Sequence, residues 1–250
     1  MGRLYFRSDY RIKIIISLFL QKYLLAMLLT LFWMNSLKIG CKPLDSLLGE
    51  GIEKGIISKI YGESGTGKTN ICLQAARECA KSGLKVAYVD TEGVSIERLH
   101  QICKSHDFKK IFNNILFFKP KSLDEQRKII LDVTKKDDIR LVIIDTINMF
   151  YRINLEDDKE GTMRSFTKQV SNLQIATREK DLFVIIAEQV YTDKNGEIKP
   201  FTNRDTEHMI KTVIKLEKKD VGQRRAIIIK HRSQPEENKT CFKITEKGLE

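Results

Sequence analysis

The chain has 250 residues, of which 42% are hydrophobic, four are proline and 14 are glycine, a composition that excludes a mainly disordered or fibrous protein. Its five cysteines form no Cys-x-x-Cys pair, which argues against a zinc ribbon and a disulfide scaffold. The formal net charge of +11 favours acidic partners, and residues 211–232 alone carry a net +6.

Residues 1–33 are unusually apolar. Seventeen of the 21 residues from 14 to 34 are hydrophobic, which is typical of a membrane span. The basic residues before this run would hold the N-terminus in the cytoplasm and the rest of the chain outside the cell, away from the nucleotide that the motifs below predict. We therefore favour a translation start at Met34, with 1–33 as an extension preceding a domain of residues 34–250. A membrane anchor is the alternative.

Strands and helices alternate after Met34. Apolar runs predict strands at 56–61, 85–90, 115–118, 141–144 and 183–187, and periodic segments between them predict helices from about 69, at 95–105, from 122 and at 163–177. Three later strands, at 213–216, 226–229 and 241–244, are separated by turns. The pattern predicts an α/β fold with a mostly parallel sheet that antiparallel C-terminal strands extend.

The first motif lies between a predicted strand and a predicted helix. Residues 62–69 fit the phosphate-loop pattern G-x-x-x-x-G-K-[ST], in which glycines let backbone N–H groups wrap a phosphate. Lys68 is expected to neutralise the β- and γ-phosphates and Thr69 to ligate Mg²⁺. ATP with Mg²⁺ is therefore the predicted cofactor, bound by Gly62, Glu63, Ser64, Gly65, Thr66, Gly67, Lys68 and Thr69.

Three polar residues follow predicted strands of the same sheet, at its carboxyl edge. Asp145 is expected to hold Mg²⁺, partly through water. Because Thr146 and not a carboxylate follows it, the general base must come from elsewhere, and Glu92 is the candidate. Gln189 can bind a γ-phosphate and report its loss to residues 191–207. The candidate catalytic residues are thus Glu92, Lys68 and Gln189, with solvated strand-end side chains as the alternative.

These motifs, in this order and spacing, resemble the archaeal RadB family, short paralogues of the RecA/RadA recombinases. The resemblance runs from about Met34 to the C-terminus and includes Lys230-His231-Arg232. It implies a RecA-like P-loop NTPase core in which Glu92 is the general base, Arg98 packs on the adenine and Gln189 lies at the mouth of a DNA-binding loop. It also implies His208 near the phosphates.

The chain departs from the family's pattern at two sites. Glu188 stands where the family usually has Asn, and Thr202-Asn203 stand where the recombinases have Gly-Gly. These differences bear on phosphate sensing through Gln189 and His208. The recombinases also carry an extra N-terminal DNA-binding domain that is not expected before Met34, which implies an accessory role and not autonomous strand exchange.

The basic C-terminal segment supplies the predicted DNA contacts. If its strands bring the cations into one antiparallel patch, they form a positive surface for phosphates. A basic edge that discourages strand pairing is the alternative, and Lys230 and Arg232 could instead reach a neighbouring subunit's γ-phosphate. The predicted DNA-binding residues are Lys211, Lys215, Arg224, Arg225, Lys230 and Arg232.

Together these observations predict an ATP-binding and DNA-binding accessory protein of homologous recombination and DNA repair. Weak, DNA-dependent ATP hydrolysis in the cytoplasm is expected, with single-stranded DNA and a RecA/RadA-type recombinase as partners and no stable membrane association if the chain starts at Met34. Two alternatives stay open. A P-loop phosphotransferase would need an Arg-bearing lid and an acceptor pocket, and a membrane-anchored ATPase would need residues 1–33.

Overall fold

A computed structural model describes residues 35–196, 198–201 and 204–250. The expectations for residues 1–33 and for Thr202-Asn203 lie outside this part of the chain. In the described ranges, no helix is both long and apolar enough to span a membrane.

The strands are two to eight residues long. They are β1 Ser36–Leu37, β2 Ile52–Glu53, β3 Ile56–Gly62, β4 Lys85–Asp90, β5 Ile115–Phe118, β6 Ile139–Asp145, β7 Phe183–Glu188, β8 Val190–Thr192, β9 Ile198–Pro200, β10 Thr212–Lys218, β11 Gln223–Lys230, β12 Lys239–Thr245 and β13 Gly248–Leu249.

The helices lie between these strands. They are α1 Lys42–Leu47, α2 Lys68–Lys81, α3 Ile96–Ile102, α4 Phe108–Asn113, α5 Leu123–Lys135, α6 Met149–Asn154, α7 Lys159–Lys180 and α8 Arg204–Glu207. The sequence pattern missed α1, α4, α6 and α8, because helices of four to six residues make less than two turns and show no helical period. It also missed the two- and three-residue strands β1, β2, β8, β9 and β13.

Nine strands form the main sheet, in the order β13-β12-β11-β10-β3-β7-β6-β4-β5. The six strands from β10 to β5 run parallel, and β11, β12 and β13 are antiparallel. The predicted α/β fold is therefore confirmed. The antiparallel extension begins only at β11, since β10 pairs in parallel with the phosphate-loop strand β3.

The core lies on both faces of the central strands. Helices α5 and α7 cover one face, where Val133 and Phe166 pack with Val142 in the main apolar cluster. Every residue of β3 and β7 is buried, as expected for parallel strands covered on both sides. The helix ends are also encoded locally: Ser122 Oγ accepts the Glu125 N–H at 3.2 Å at the start of α5.

One close backbone approach joins the C-terminal strands to the phosphate loop. Gly62, the last residue of β3, pairs with Leu216 of β10. A Cβ at position 62 would lie 2.4 Å from the Leu216 carbonyl oxygen, a distance that requires the backbone to move. Glycine is therefore needed here for space, and β10 packs against the base of the loop.

We expect Gly62→Ala to destabilise the fold by about 3 kcal/mol, because the new methyl group overpacks two strands. Gly83, after α2, is the matched control: its φ of +82° is left-handed, yet a Cβ there meets nothing within 4 Å. Gly83→Ala should cost only about 1 kcal/mol of backbone strain. Urea unfolding of both variants measures the difference, and equal losses would contradict the close approach.

Candidate nucleotide-binding site

A cavity of about 560 Å³ opens at the carboxyl edge of the parallel strands. This is where ligands bind in open α/β sheets. The phosphate loop forms one wall, and residues that follow β4, β6 and β7 complete it. The lining consists of Gly62, Glu63, Ser64, Gly65, Gly67, Lys68, Thr69, Asn70, Glu92, Arg152, Gln189, Val190, Tyr191 and Thr192.

The phosphate loop has the backbone that an anion site requires. Gly67 caps α2 with a left-handed φ of 103°, and no side chain caps the helix. The first N–H groups of α2 thus remain available, together with the positive end of the helix dipole. Thr66, the one motif residue outside the lining, closes the loop by donating its hydroxyl to Glu63 O at 2.8 Å.

Lys68 lies inside the loop. Its Nζ donates to the carbonyl oxygens of Gly62 at 2.7 Å and Glu63 at 3.0 Å. Burial lowers the pKa of this ammonium, while Glu92 and Asp145 act in the opposite direction. The desolvated charge is only partly compensated by neutral carbonyls, so an incoming phosphate would be a better partner.

Asp145, the last residue of β6, is the candidate metal residue. Its Oδ2 accepts the Tyr88 hydroxyl at 2.8 Å, whereas Oδ1 is buried without a hydrogen-bond partner among the described residues. Burial raises the pKa of the carboxyl group, against the lowering effects of the Tyr88 hydrogen bond and of the neighbouring Thr69 hydroxyl. An orphaned acceptor beside the Thr69 hydroxyl fits Mg²⁺ or its bound water.

Glu92 is held at the cavity by the residue two positions before it. Asp90 ends β4, and its carboxylate accepts backbone N–H groups from Gly93 and Val94, each at 2.8 Å, and from Glu92 at 3.2 Å. This acid therefore shapes the turn that presents Glu92. The sequence pattern had marked Asp90 only as part of a strand end, and its Asp-x-x-Gly spacing was the available signal.

Glu92 and Gln189 meet, as their positions at strand ends suggested. Glu92 Oε1 accepts the Thr146 hydroxyl at 2.9 Å and also the Gln189 side-chain amide. Asn148 holds the Gln189 backbone, donating to its carbonyl at 3.0 Å and accepting its N–H at 2.9 Å. Thr146, Asn148 and Arg152 were not predicted, because they belong to the short segment that includes α6.

Arg98 does not line the cavity but contacts Asn70, which does. It donates to Asn70 Oδ1 at 2.7 Å, to Thr245 O at 2.8 Å and to Glu246 O at 3.0 Å. It thus ties α3 to α2 and to the turn between β12 and β13. Packing on adenine stays a prediction for this residue, and Asn70 is the neighbour that reaches the cavity.

Two residues that bear on the family comparison, Glu188 and His208, lie away from the cavity. Glu188 is fully buried and forms an ion pair with Lys59 of β3 at 3.6 Å, so this carboxylate is directed into the fold. His208 is exposed after α8, outside the cavity lining. The expected approach of His208 to the phosphates therefore has no support in this arrangement.

The basic C-terminal residues do not form one patch, because side chains alternate between the two faces of β10 and β11. Arg224 turns toward the phosphate loop and donates to Gly65 O at 2.8 Å. On the other face, Glu217 pairs with Lys215 at 2.9 Å and with Arg225 at 3.7 Å.

Lys211 and Lys230 lie toward the other end of these strands. Lys230 pairs with Val213, which places it on the same face as Lys215. Lys211 Nζ donates to His208 O at 2.7 Å, and Lys230 Nζ donates to Glu207 O at 3.0 Å, so both contact the end of α8. Arg232 is exposed beyond β11. Because Arg224 lies on the opposite face, the predicted residues do not all belong to one patch, and DNA binding by the individual residues stays a prediction.

Comparisons with known proteins agree on one family. The Rad51 family model matches residues 33–250. The DNA repair and recombination protein RadB of Methanococcoides burtonii is 42% identical over 84% of this chain and 95% of its own, and that of Archaeoglobus fulgidus is 38% identical over 84% and 96%. A solved structure described as the crystal structure of the RadB recombinase superposes with a TM-score of 0.76, at 34% identity, over 85% of this chain and 98% of that chain.

Asp145→Asn should separate ligand binding from stability. Because burial raises the pKa of Asp145, removing its charge should leave the unfolding temperature unchanged or higher near pH 7. Mg²⁺-dependent ATP binding should fall by about tenfold or more, as when other metal-site partners are removed. Thermal unfolding and titration of labelled ATP with Mg²⁺ or EDTA measure the two effects.

Asp138→Asn is the matched control for that experiment. Asp138 precedes β6 at its opposite end, is exposed and pairs with Lys85. This variant should bind ATP like the unmodified protein. Unchanged Mg²⁺ dependence in Asp145→Asn would show that the metal residue lies elsewhere.

Proposed function

Since the chain belongs to the Rad51 family, within its archaeal RadB group, we propose that it binds ATP with Mg²⁺ and DNA and acts as an accessory protein in homologous recombination and DNA repair. The phosphate loop and Glu92 line one cavity, with the Asp145 carboxylate buried beside Thr69 and Lys68, and this convergence carries the proposal. The reported relatives are named for DNA repair and recombination, and none of them is named as a phosphotransferase.

ATP binding would use contacts that the loop already offers. The N–H groups at the start of α2 would hold the β-phosphate, and Lys68 would exchange the Gly62 and Glu63 carbonyls for phosphate oxygens. Thr69 and Asp145 would hold Mg²⁺, which neutralises charge on the β- and γ-phosphates when bound. The unpartnered Asp145 Oδ1 supports this assignment.

Slow hydrolysis fits the arrangement of Glu92. A general base must receive a proton from the attacking water. Glu92 Oε1 already accepts hydrogen bonds from Thr146 and Gln189, which leaves Oε2 as the oxygen that can accept from water and makes its direction depend on these two contacts. We therefore propose weak ATPase activity that depends on the position of Gln189.

DNA would bind through the basic strands and the segment that follows Gln189. Lys215 and Arg225 share the face turned away from the phosphate loop, and a DNA phosphate would compete there with Glu217. Single-stranded DNA and a RecA/RadA-type recombinase are the proposed partners, and the cytoplasm is the proposed location. The family match to residues 33–250 supports a domain that begins near Met34.

Two variants of the cavity should behave in opposite ways. Lys68→Ala removes a buried counter-charge and should weaken ATP binding by about 10- to 100-fold. Glu92→Gln keeps the shape of the side chain but loses the base, so it should bind ATP normally and lower hydrolysis by about 100-fold or more. Labelled-ATP titration and phosphate release, each with and without single-stranded DNA, provide the readouts. Undiminished ATP affinity in Lys68→Ala would contradict the proposal.

Two neighbouring arginines provide a matched pair for the DNA proposal. Arg225→Ala should flatten the dependence of log K on log salt by about 0.7 for single-stranded DNA and leave ATP binding unchanged. Arg224→Ala should chiefly weaken ATP binding, because Arg224 contacts Gly65 of the phosphate loop. DNA binding at several salt concentrations measures the slopes. If Arg225→Ala leaves the slope unchanged, residues 191–207 become the next candidate for the DNA site.

A further inference from the structure

The contacts that begin at Glu92 continue past Gln189. Arg152, on α6, donates from its guanidinium to Gln189 Oε1. The same guanidinium lies 4.5 Å from the centre of the Phe201 ring, which in turn lies 4.7 Å from the ring of Tyr191. A chain of contacts therefore connects Glu92 to both strands of the β8–β9 hairpin. It runs through the side chains of Gln189, Arg152, Phe201 and Tyr191.

Hydrogen-bond chemistry gives Arg152 a specific effect on this connection. A guanidinium can only donate, and an ionised carboxylate can only accept. With Arg152 on one side and Glu92 on the other, the Gln189 amide is oriented with its oxygen toward Arg152 and its NH₂ toward Glu92. Because Asn148 fixes the Gln189 backbone, the side-chain amide is the part that is free to turn.

The guanidinium of Arg152 also contacts the hairpin, through Phe201. Val190 pairs with Pro200 at its base, so Phe201 directly follows the second strand. A cation over an aromatic face is attracted by the ring quadrupole, and the guanidinium that makes this contact is the one that donates to Gln189. The position of the hairpin and the orientation of the amide are thus tied to one side chain.

Arg152, Gln189 and Tyr191 also line the cavity. A phosphate oxygen there is an acceptor that competes with Gln189 Oε1 for Arg152 and with Glu92 for the Gln189 NH₂. Either exchange changes the contact between Arg152 and Phe201. An anion in the cavity would therefore act on the hairpin through Arg152, in addition to any direct contact with β8.

We propose that Arg152 is a positioning residue that orients the Gln189 amide and thereby couples nucleotide in the cavity to the β8–β9 hairpin. The inference rests on the proposed function, since it requires ATP to occupy the cavity. A charged hydrogen bond and a cation–π contact together are strong enough to shift an equilibrium by about tenfold. That is the scale of the expected response.

Hydrogen exchange of the full chain, with and without ATP and Mg²⁺, tests the coupling and reads two regions separately. In the unmodified protein, nucleotide should slow exchange at residues 62–69 and change exchange at 190–192 and 198–201 by about tenfold. Because Arg152 lines the cavity, Arg152→Gln is tested at an ATP concentration that saturates it; it should then show the protection of residues 62–69 and lose the response at the hairpin. Phe201→Leu, which leaves the Arg152–Gln189 contact in place, should also lose the hairpin response.

Arg164→Gln is the matched control, because Arg164 is exposed on α7 and pairs with Glu160. It should show both responses. A hairpin that responds normally in Arg152→Gln, or that fails to respond in the unmodified protein while residues 62–69 are protected, overturns the inference and leaves the proposed function standing. No protection of residues 62–69 in the unmodified protein refutes the proposed function itself. If Arg152→Gln does not fold, Phe201→Leu decides the question.

Discussion

The candidate site depends on the parallel register of β3, β7, β6 and β4. Neighbouring strands that run in the same direction end at the same edge of a sheet. The register pairs Asp90 with Asp145 and Tyr61 with Glu188, so the residues that follow these strands are brought together from distant parts of the sequence. The cavity is a consequence of this alignment, and Glu92 and Gln189 at its wall follow buried strands.

Burying charged groups at the edge of the sheet costs free energy of folding, and the pKa shifts identify the residues that bear this cost. Burial lowers the pKa of Lys68 and raises that of Asp145, so folding disfavours the charged form of each. A bound triphosphate with its metal ion would supply the missing opposite charges. In the free protein these buried charges are thus incompletely compensated, and ligand binding would compensate them. Such perturbed groups are common at functional sites.

The paired strands β10 and β11 contribute side chains to two different surfaces of the protein. Arg224 and Arg225 are adjacent in sequence, yet one contacts the phosphate loop and the other pairs with Glu217 on the opposite face. Counting cations along the chain cannot reveal this division, because the count ignores the two-residue period of a strand. Because successive side chains of a strand point to opposite faces, the placement of β10 and β11 beside β3 puts the two arginines in different surroundings.

The sequence by itself determined the order of the longer strands and helices, the phosphate loop and the strand-end positions of Asp145, Glu92 and Gln189. These features are local: a hydrophobic period, a glycine pattern and a polar residue after an apolar run each act within a few residues. Only the tertiary structure decided which groups meet. Tyr88 on Asp145, Thr146 on Glu92 and Arg152 between Gln189 and Phe201 are contacts across the sheet edge, and they depend on strand order and register, which no local pattern encodes.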